Sequence, residues 1–356
     1  MSAAVAWQDS TAHGARRRWA PSLLLGLSLA LALSLLAASR IGAVPIGWGE
    51  WLALAPHSRS GAAQVLWEIR LPRALLAAGV GAALGLAGAM TQGLFRNPLA
   101  DPGLLGVTAG AACSAALVLT VFATAAGGLP PAWRPWVLPV NAFAGALTVC
   151  FALHRVARWL TPGSIAGLLL TGLALNALAM AVVGLCTYLA NDEQLRSLTF
   201  WTLGSLAGSS WGVVGVLTLA LAGGLLAASR LAPSLNALAL GESVAGHVGV
   251  DVERLRSRLI VVVALLSGLA VAWCGLIGFI GLMAPHLARA LVGADHRAVL
   301  PTAAVMGALL LLWADTMARA VVVPAELPVG ILTALLGGPA FLVLLHRTAA
   351  RQGGHA

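Results

Sequence analysis

The chain has 356 residues, 60% of them hydrophobic and only 9% charged, with a formal net charge of +9. A soluble domain carries about 25% charged residues, so water-soluble enzymes, nucleic-acid binders and disordered tails are excluded. What remains is an all-α membrane protein, and at about 20 apolar residues per crossing this length accommodates about ten spans.

Arg16, Arg17 and Arg18 precede a charge-free run from Trp19 to Ser39. That run exceeds the roughly 7–15 residues of a signal-peptide core, so it reads as a first span, with residues 1–18 as a tail. Further apolar runs lie at about 74–95, 103–127, 136–153, 164–190, 205–229, 259–279, 282–294, 298–318 and 328–345, which completes ten. The eighth is short and also reads as half of a broken helix. One membrane domain over 19–347 and a tail at 348–356 follow.

Every basic residue is arginine, and lysine is absent. That removes a P-loop, whose phosphate-reaching residue is lysine, and any Schiff-base chemistry. ATP, if used, is bound by another chain. The arginines are scattered between apolar runs and form no nucleic-acid patch. An even number of spans puts both termini on one side. On that side fall Arg16, Arg17, Arg18, Arg96, Arg155, Arg158, Arg230, Arg254, Arg256, Arg258, Arg289, Arg297, Arg347 and Arg351. The other side keeps Arg40, Arg59, Arg70, Arg73, Arg134, Arg196 and Arg319. Fourteen against seven predicts cytoplasmic termini by the positive-inside rule.

Two connections are long. Ile41–Glu68 holds Trp48 and Trp51, which suit a membrane interface. Leu231–Arg258 carries breaks at Gly241 and Gly249 and predicts a pair of short surface helices offering a face to a soluble partner. The segment Arg96-Asn97-Pro98-Leu99-Ala100-Asp101-Pro102-Gly103 interrupts the apolar pattern, which fits either a channel-lining gate or a plain turn.

Chemistry is sparse. The cysteines Cys113, Cys150, Cys186 and Cys274 sit in apolar runs without zinc-site spacing, and read as small buried hydrophobes. Asp315 and Arg319, four apart, can neutralise each other on one helix face, as a structural couple or as a functional intramembrane pair. Glu326 reads as a cap-like turn residue, and Arg289 as a snorkelling side chain. No catalytic constellation or metal site emerges.

Arg70-Leu-Pro-Arg73, Gly88-Ala-Met-Thr-Gln92, Asn97-Pro-Leu-Ala100 and Leu104-Leu-Gly106 resemble the FecCD family of ABC importer permeases for ferric siderophores, heme and cobalamin. Gly278-Phe-Ile-Gly281-Leu-Met-Ala-Pro285-His286, Asp295-His-Arg297, Ala314-Asp315, Glu326-Leu-Pro-Val-Gly330 and Gly338-Pro339 extend the resemblance over about 60–350. It implies a ten-helix type II importer permease in the bacterial inner membrane. A second copy, two ABC ATPase subunits carrying ATP and Mg, and one periplasmic binding protein are the implied partners, beside membrane lipid. No intrinsic cofactor is implied. The resemblance makes Asn97, Leu99, Ser164 and Ile165 gate positions. It makes Gly241, Glu242, Ala245 and Gly249 ATPase-coupling positions, and Arg70, Arg73 and Arg319 binding-protein docking positions. Arg196 is a candidate contact for heme propionates. Heme is the first cargo expected, ferric siderophore second, cobalamin third. A competing class, an ion-coupled secondary transporter, would have to use Asp315.

Overall fold

Leucine and alanine, both strong helix formers, fill the apolar runs, and a helix satisfies every backbone group of a lipid-exposed segment from within. The computed structural model of the chain describes residues 3–42, 44–52, 60–123, 128–321 and 326–353, with side-chain environments from Ala20 to Val343. Arg59 and the middle of the Ile41–Glu68 connection lie outside the described residues, as do residues 354–356 of the tail. The regular structure is helical: α1 (Ala3–Arg40), α2 (Leu71–Phe95), α3 (Val107–Leu119), α4 (Arg134–Leu160), α5 (Ile165–Leu189), α6 (Asp192–Leu203), α7 (Trp211–Ala239), α8 (Glu242–His247), α9 (Val252–Cys274), α10 (Ile280–Val292), α11 (His296–Val321) and α12 (Val329–Gly353).

Among the described residues, ten of these helices fall on the ten predicted runs, with α6 and α8 lying between them. Seven contain a stretch long and apolar enough to cross a bilayer, while α3, α10 and the apolar part of α12 are shorter. Helix α2 is the axis of the bundle, buried along nearly its whole length and packed by α7, α9, α10 and α11. Glycine makes this possible. A Cβ at Gly81 would overlap the Gly307 carbonyl of α11, one at Gly85 the Ala303 carbonyl, and one at Gly88 the Gly281 carbonyl of α10. Backbones in contact without side chains between them are how helices associate where no hydrophobic force separates lipid from protein. Cys150, Cys186 and Cys274 are buried and Cys113 half-buried, all four as free thiols.

Three features depart from the sequence reading. Helix α1 starts at Ala3, well before the apolar run. Helix α7 runs through Pro233 to Ala239, so the 231–258 connection holds the single short helix α8 where a pair was expected. Leu231, Ala232, Leu235 and Leu238 are buried along one face there, and their packing outweighs a cost of about 3 kcal/mol for an interior proline. Helix α6, unforeseen, is opened by a capping box in which Asn191 Oδ1 accepts from the Gln194 N–H and Gln194 Oε1 from the Asn191 N–H. The Asn-x-x-Gln spacing with acidic Asp192 and Glu193 in the first turn was the available signal.

Candidate functional site

One face of the bundle carries the Arg-poor connections. Pro72 at the start of α2 lacks an N–H, and the chain enters it through a wide π turn at Val65–Arg70. The Arg70 guanidinium donates to the carbonyls of Ser39 at 3.3 Å, Arg40 at 3.1 Å and Val44 at 2.6 Å, tying the end of α1 to α2. One turn on, Arg73 donates from Nη2 to Asp315 Oδ1 at 2.9 Å and from Nε to both carboxylate oxygens at 3.1 and 3.2 Å. Arg319 Nε reaches Asp315 Oδ2 at 3.1 Å, as the spacing predicts. Asp315 is 0% exposed and is held by two guanidiniums, which is what a carboxylate buried in a bundle requires.

Glu326, expected as a cap-like turn residue, forms an ion pair. Its Oε2 accepts from Arg73 Nη1 at 2.7 Å, and its side chain remains 48% exposed. Arg70, Arg73 and Arg319 thus lie beneath this face with donors engaged inside the chain, the Arg319 side chain 10% exposed. Arg196 is exposed on α6.

At the opposite, Arg-rich face, α2 ends where Arg96 turns left-handed at φ 49° and its N–H closes on the Gln92 and Gly93 carbonyls. Two Asx turns follow: Asn97 Oδ1 accepts from the Leu99 N–H at 2.9 Å, and Asp101 Oδ1 from the Gly103 N–H at 2.8 Å. Asn97 and Leu99 are exposed. Ser164, also exposed, caps α5 by accepting from the Gly167 N–H at 3.0 Å, and Ile165 is half-buried. Asn176 joins the two elements by donating to the Gly103 carbonyl at 3.2 Å. Asn176 lies eleven residues into α5, about 16 Å along it, so the loop dips into the bundle instead of resting on its face. Asn176 Oδ1 is buried there without a partner. Asn176 is the one polar amide in the apolar run of α5, and that isolation is its signal in the sequence.

A second irregular segment sits nearby. Helix α9 ends at Cys274 and α10 starts at Ile280. Leu276 packs its carbonyl on Gly330 and Phe279 its ring on Gly337. Gly330 to Gly337 spans about 10 Å of helix, which three extended residues also cover. The chain therefore re-enters the bundle extended, and α10 is the half-helix the short eighth run allowed. Phe279 is left-handed at φ 67°, which costs a non-glycine residue about 1–2 kcal/mol. At the far end of α10, Arg289 does not snorkel. It points inward and donates to the Gln92 side-chain oxygen, while the Gln92 amide donates to the Leu282 carbonyl at 3.4 Å.

Helix α8 lies beyond the Arg-rich ends of α7 and α9. Gly241 at φ 119° and Gly249 at φ 85° bracket it in conformations that side chains disfavour. Ala245 is fully buried, while Leu240, Val244 and Val248, spaced four apart, are exposed. Glu242 Oε1 accepts from Arg256 Nη2 at 3.3 Å and stands 3.7 Å from Arg96 Nη2. Arg96 also closes α2, so one carboxylate links α8 to the loop holding Asn97 and Leu99. Among the described residues no group of three or more His, Cys, Asp or Glu is placed to hold a metal.

The pattern of the FecCD transport family matches residues 29–347. The hemin transport system permease protein HmuU of Yersinia pestis is 44% identical over 336 residues, covering 94% of this chain and 98% of that protein. The vitamin B12 import system permease protein BtuC of Vibrio cholerae is 39% identical over 342 residues, covering 93% and 96%. Among solved structures, a metal-chelate type ABC transporter in an inward-facing conformation matches with a TM-score of 0.78 at 34% identity, over 92% of this chain and 99% of that one.

Proposed function

The chain belongs to the FecCD transport family, and from that premise we propose that it is the translocation subunit of an ATP-driven ABC importer that carries heme across the bacterial inner membrane. The observation that carries this reading is the end-to-end similarity to a hemin permease. The subunit performs no covalent chemistry. It is a multi-pass membrane protein whose Arg-rich face, by the positive-inside rule, is cytoplasmic.

In this reading two copies of the chain enclose the pathway, and a periplasmic binding protein delivers cargo at the Arg-poor face. Two ABC ATPase subunits, which bind ATP and Mg, seat α8 with its exposed Val244 and the flanking Leu240 and Val248 in their grooves. ATP closure moves α8, and Glu242 passes that movement through Arg96 to Asn97 and Leu99, while Ser164 and Ile165 open or close opposite them. Docking of the binding protein falls on the exposed Glu326 more than on Arg70, Arg73 and Arg319, whose donors are engaged inside the chain. Arg196, exposed on α6, is the residue assigned to heme propionates. Asp315 does not suit an ion-coupled carrier, because both of its oxygens are held by guanidiniums.

The vitamin B12 permease similarity keeps cobalamin as the second reading, with ferric siderophore beside it. The cargo test is optical. The binding protein that co-purifies with this chain is titrated with heme. A saturable Soret shift at one equivalent supports heme; no shift moves the cargo to siderophore or cobalamin and leaves the permease class intact.

A further inference from the structure

We propose that the Arg-rich ends of α4, α7 and α9 form a binding site for the headgroup of an anionic phospholipid. Three helices deliver arginine to one depth. From Arg134 to Arg155 on α4 the chain climbs about 31 Å, and from Trp211 to Arg230 on α7 about 28 Å, both close to the roughly 30 Å of a hydrocarbon core. Ser257 Oγ lies 3.2 Å from His154 Nε2, which levels Ser257 and Arg258 of α9 with Arg155.

Two open cavities flank that contact. One of about 420 Å³ lies between α7 and α9, with Arg230, Arg258 and Ser257 on its rim and Ala227, Val261 and Val262 on the wall toward the bilayer core. The other, about 710 Å³, runs along α4 past His154, Arg155, Arg158 and Trp159. A basic rim over an apolar wall is the shape of a phosphate above acyl chains. Farther along the same helices Leu219, Leu226 and Leu265 are exposed, as lipid-facing residues are. Trp159, 82% exposed, sits where interfacial tryptophans anchor.

The charges are available. Among the described residues none of Arg155, Arg158, Arg230 and Arg258 has a carboxylate partner. Glu253, the carboxylate felt by His154, is taken by Arg256 at 2.6 Å. His154 Nδ1 is buried and unpartnered. A soluble partner is the poorer occupant. Helix α7 continues nine residues beyond Arg230, about 14 Å, before α8 and its exposed apolar side begin.

The test places the full chain in nanodiscs of phosphatidylcholine with increasing cardiolipin or phosphatidylglycerol, and counts retained lipids by native mass spectrometry. Wild type should retain anionic lipid in preference to phosphatidylcholine. The combined Arg155→Gln, Arg158→Gln, Arg230→Gln and Arg258→Gln variant should lose that preference by about tenfold or more. Arg297→Gln, on the same face but outside the cavities, should keep it. No preference in wild type, or an unchanged preference in the combined variant, would overturn the proposal. An equal loss in Arg297→Gln would overturn it too, since bulk charge rather than this site would then be responsible.

Discussion

Arg73 Nη2 and Asp315 Oδ1 stand 2.9 Å apart and join α2 to α11 at the Arg-poor end of the bundle. The Arg73 side chain is 7% exposed and the Asp315 side chain not at all, so neither charge has water to fall back on. Arg319 and Glu326 complete a four-member network whose charges balance.

Removing one member should therefore cost more than an ordinary ion pair. Arg73→Ala is expected to destabilise the chain by about 3–5 kcal/mol, as breaking a buried pair does. Arg73→Met combined with Asp315→Leu should recover much of that. Arg254→Ala, which breaks the exposed pair with Asp251, should change stability by about 1 kcal/mol or less. Thermal unfolding in detergent ranks the three, and an Arg73→Ala midpoint equal to that of Arg254→Ala would refute the buried network.

The glycine seam of α2 makes a second prediction. Gly88→Val drives a side chain into the Gly281 backbone and should cost at least about 3 kcal/mol, near the upper end for overpacking. Gly26→Ala, facing open space on α1, should be neutral or stabilising by up to about 1 kcal/mol. Membrane abundance and melting of the two variants check this.

Gln92 is the partner that keeps Arg289 satisfied inside the bundle. Gln92→Leu should cost about 1–3 kcal/mol, the penalty of an unsatisfied buried donor. Gln92→Glu should be tolerated better, because the guanidinium keeps an acceptor. Equal melting of the Leu and Glu variants would show that Arg289 finds water instead.

Glu242 sits between Arg96 and Arg256. Glu242→Arg puts a third cation there, which should loosen α8, lower co-purification of the ATPase subunit and uncouple ATP hydrolysis from transport. Adding Arg256→Glu should restore part of both. Unchanged ATPase recovery with Glu242→Arg would remove Glu242 from the coupling path.

Much of this architecture is legible in the sequence because lipid imposes a simple code. Each apolar run had to become a helix, and the Asp315–Arg319 couple follows from a spacing of four. What escaped notice depends on contacts between distant segments. Arg73 meets Asp315 across 242 positions, which no local pattern encodes. Asn176 looks like a stray polar residue until Gly103 is found beneath it. Arg289 reads as snorkelling because the sequence does not reveal that Gln92 faces it. The apolar run ends at 229, and the buried face that carries α7 past Arg230 and Pro233 is a tertiary effect. Helix α6 was readable from its capping box and was hidden only by its low apolar content.

ATP-driven movement of heme through this chain is what joins α8, the gate loop and the two faces into one device. Its most direct test is uptake by proteoliposomes holding the chain with its co-expressed ATPase, supplied with the binding protein and, in turn, heme, a ferric siderophore and cyanocobalamin. Heme should accumulate only with ATP, the ATPase subunit and the binding protein, and accumulation should fall when Glu242 is replaced by Arg. Heme uptake without ATP, or ATP-driven uptake of cyanocobalamin with none of heme, would contradict it.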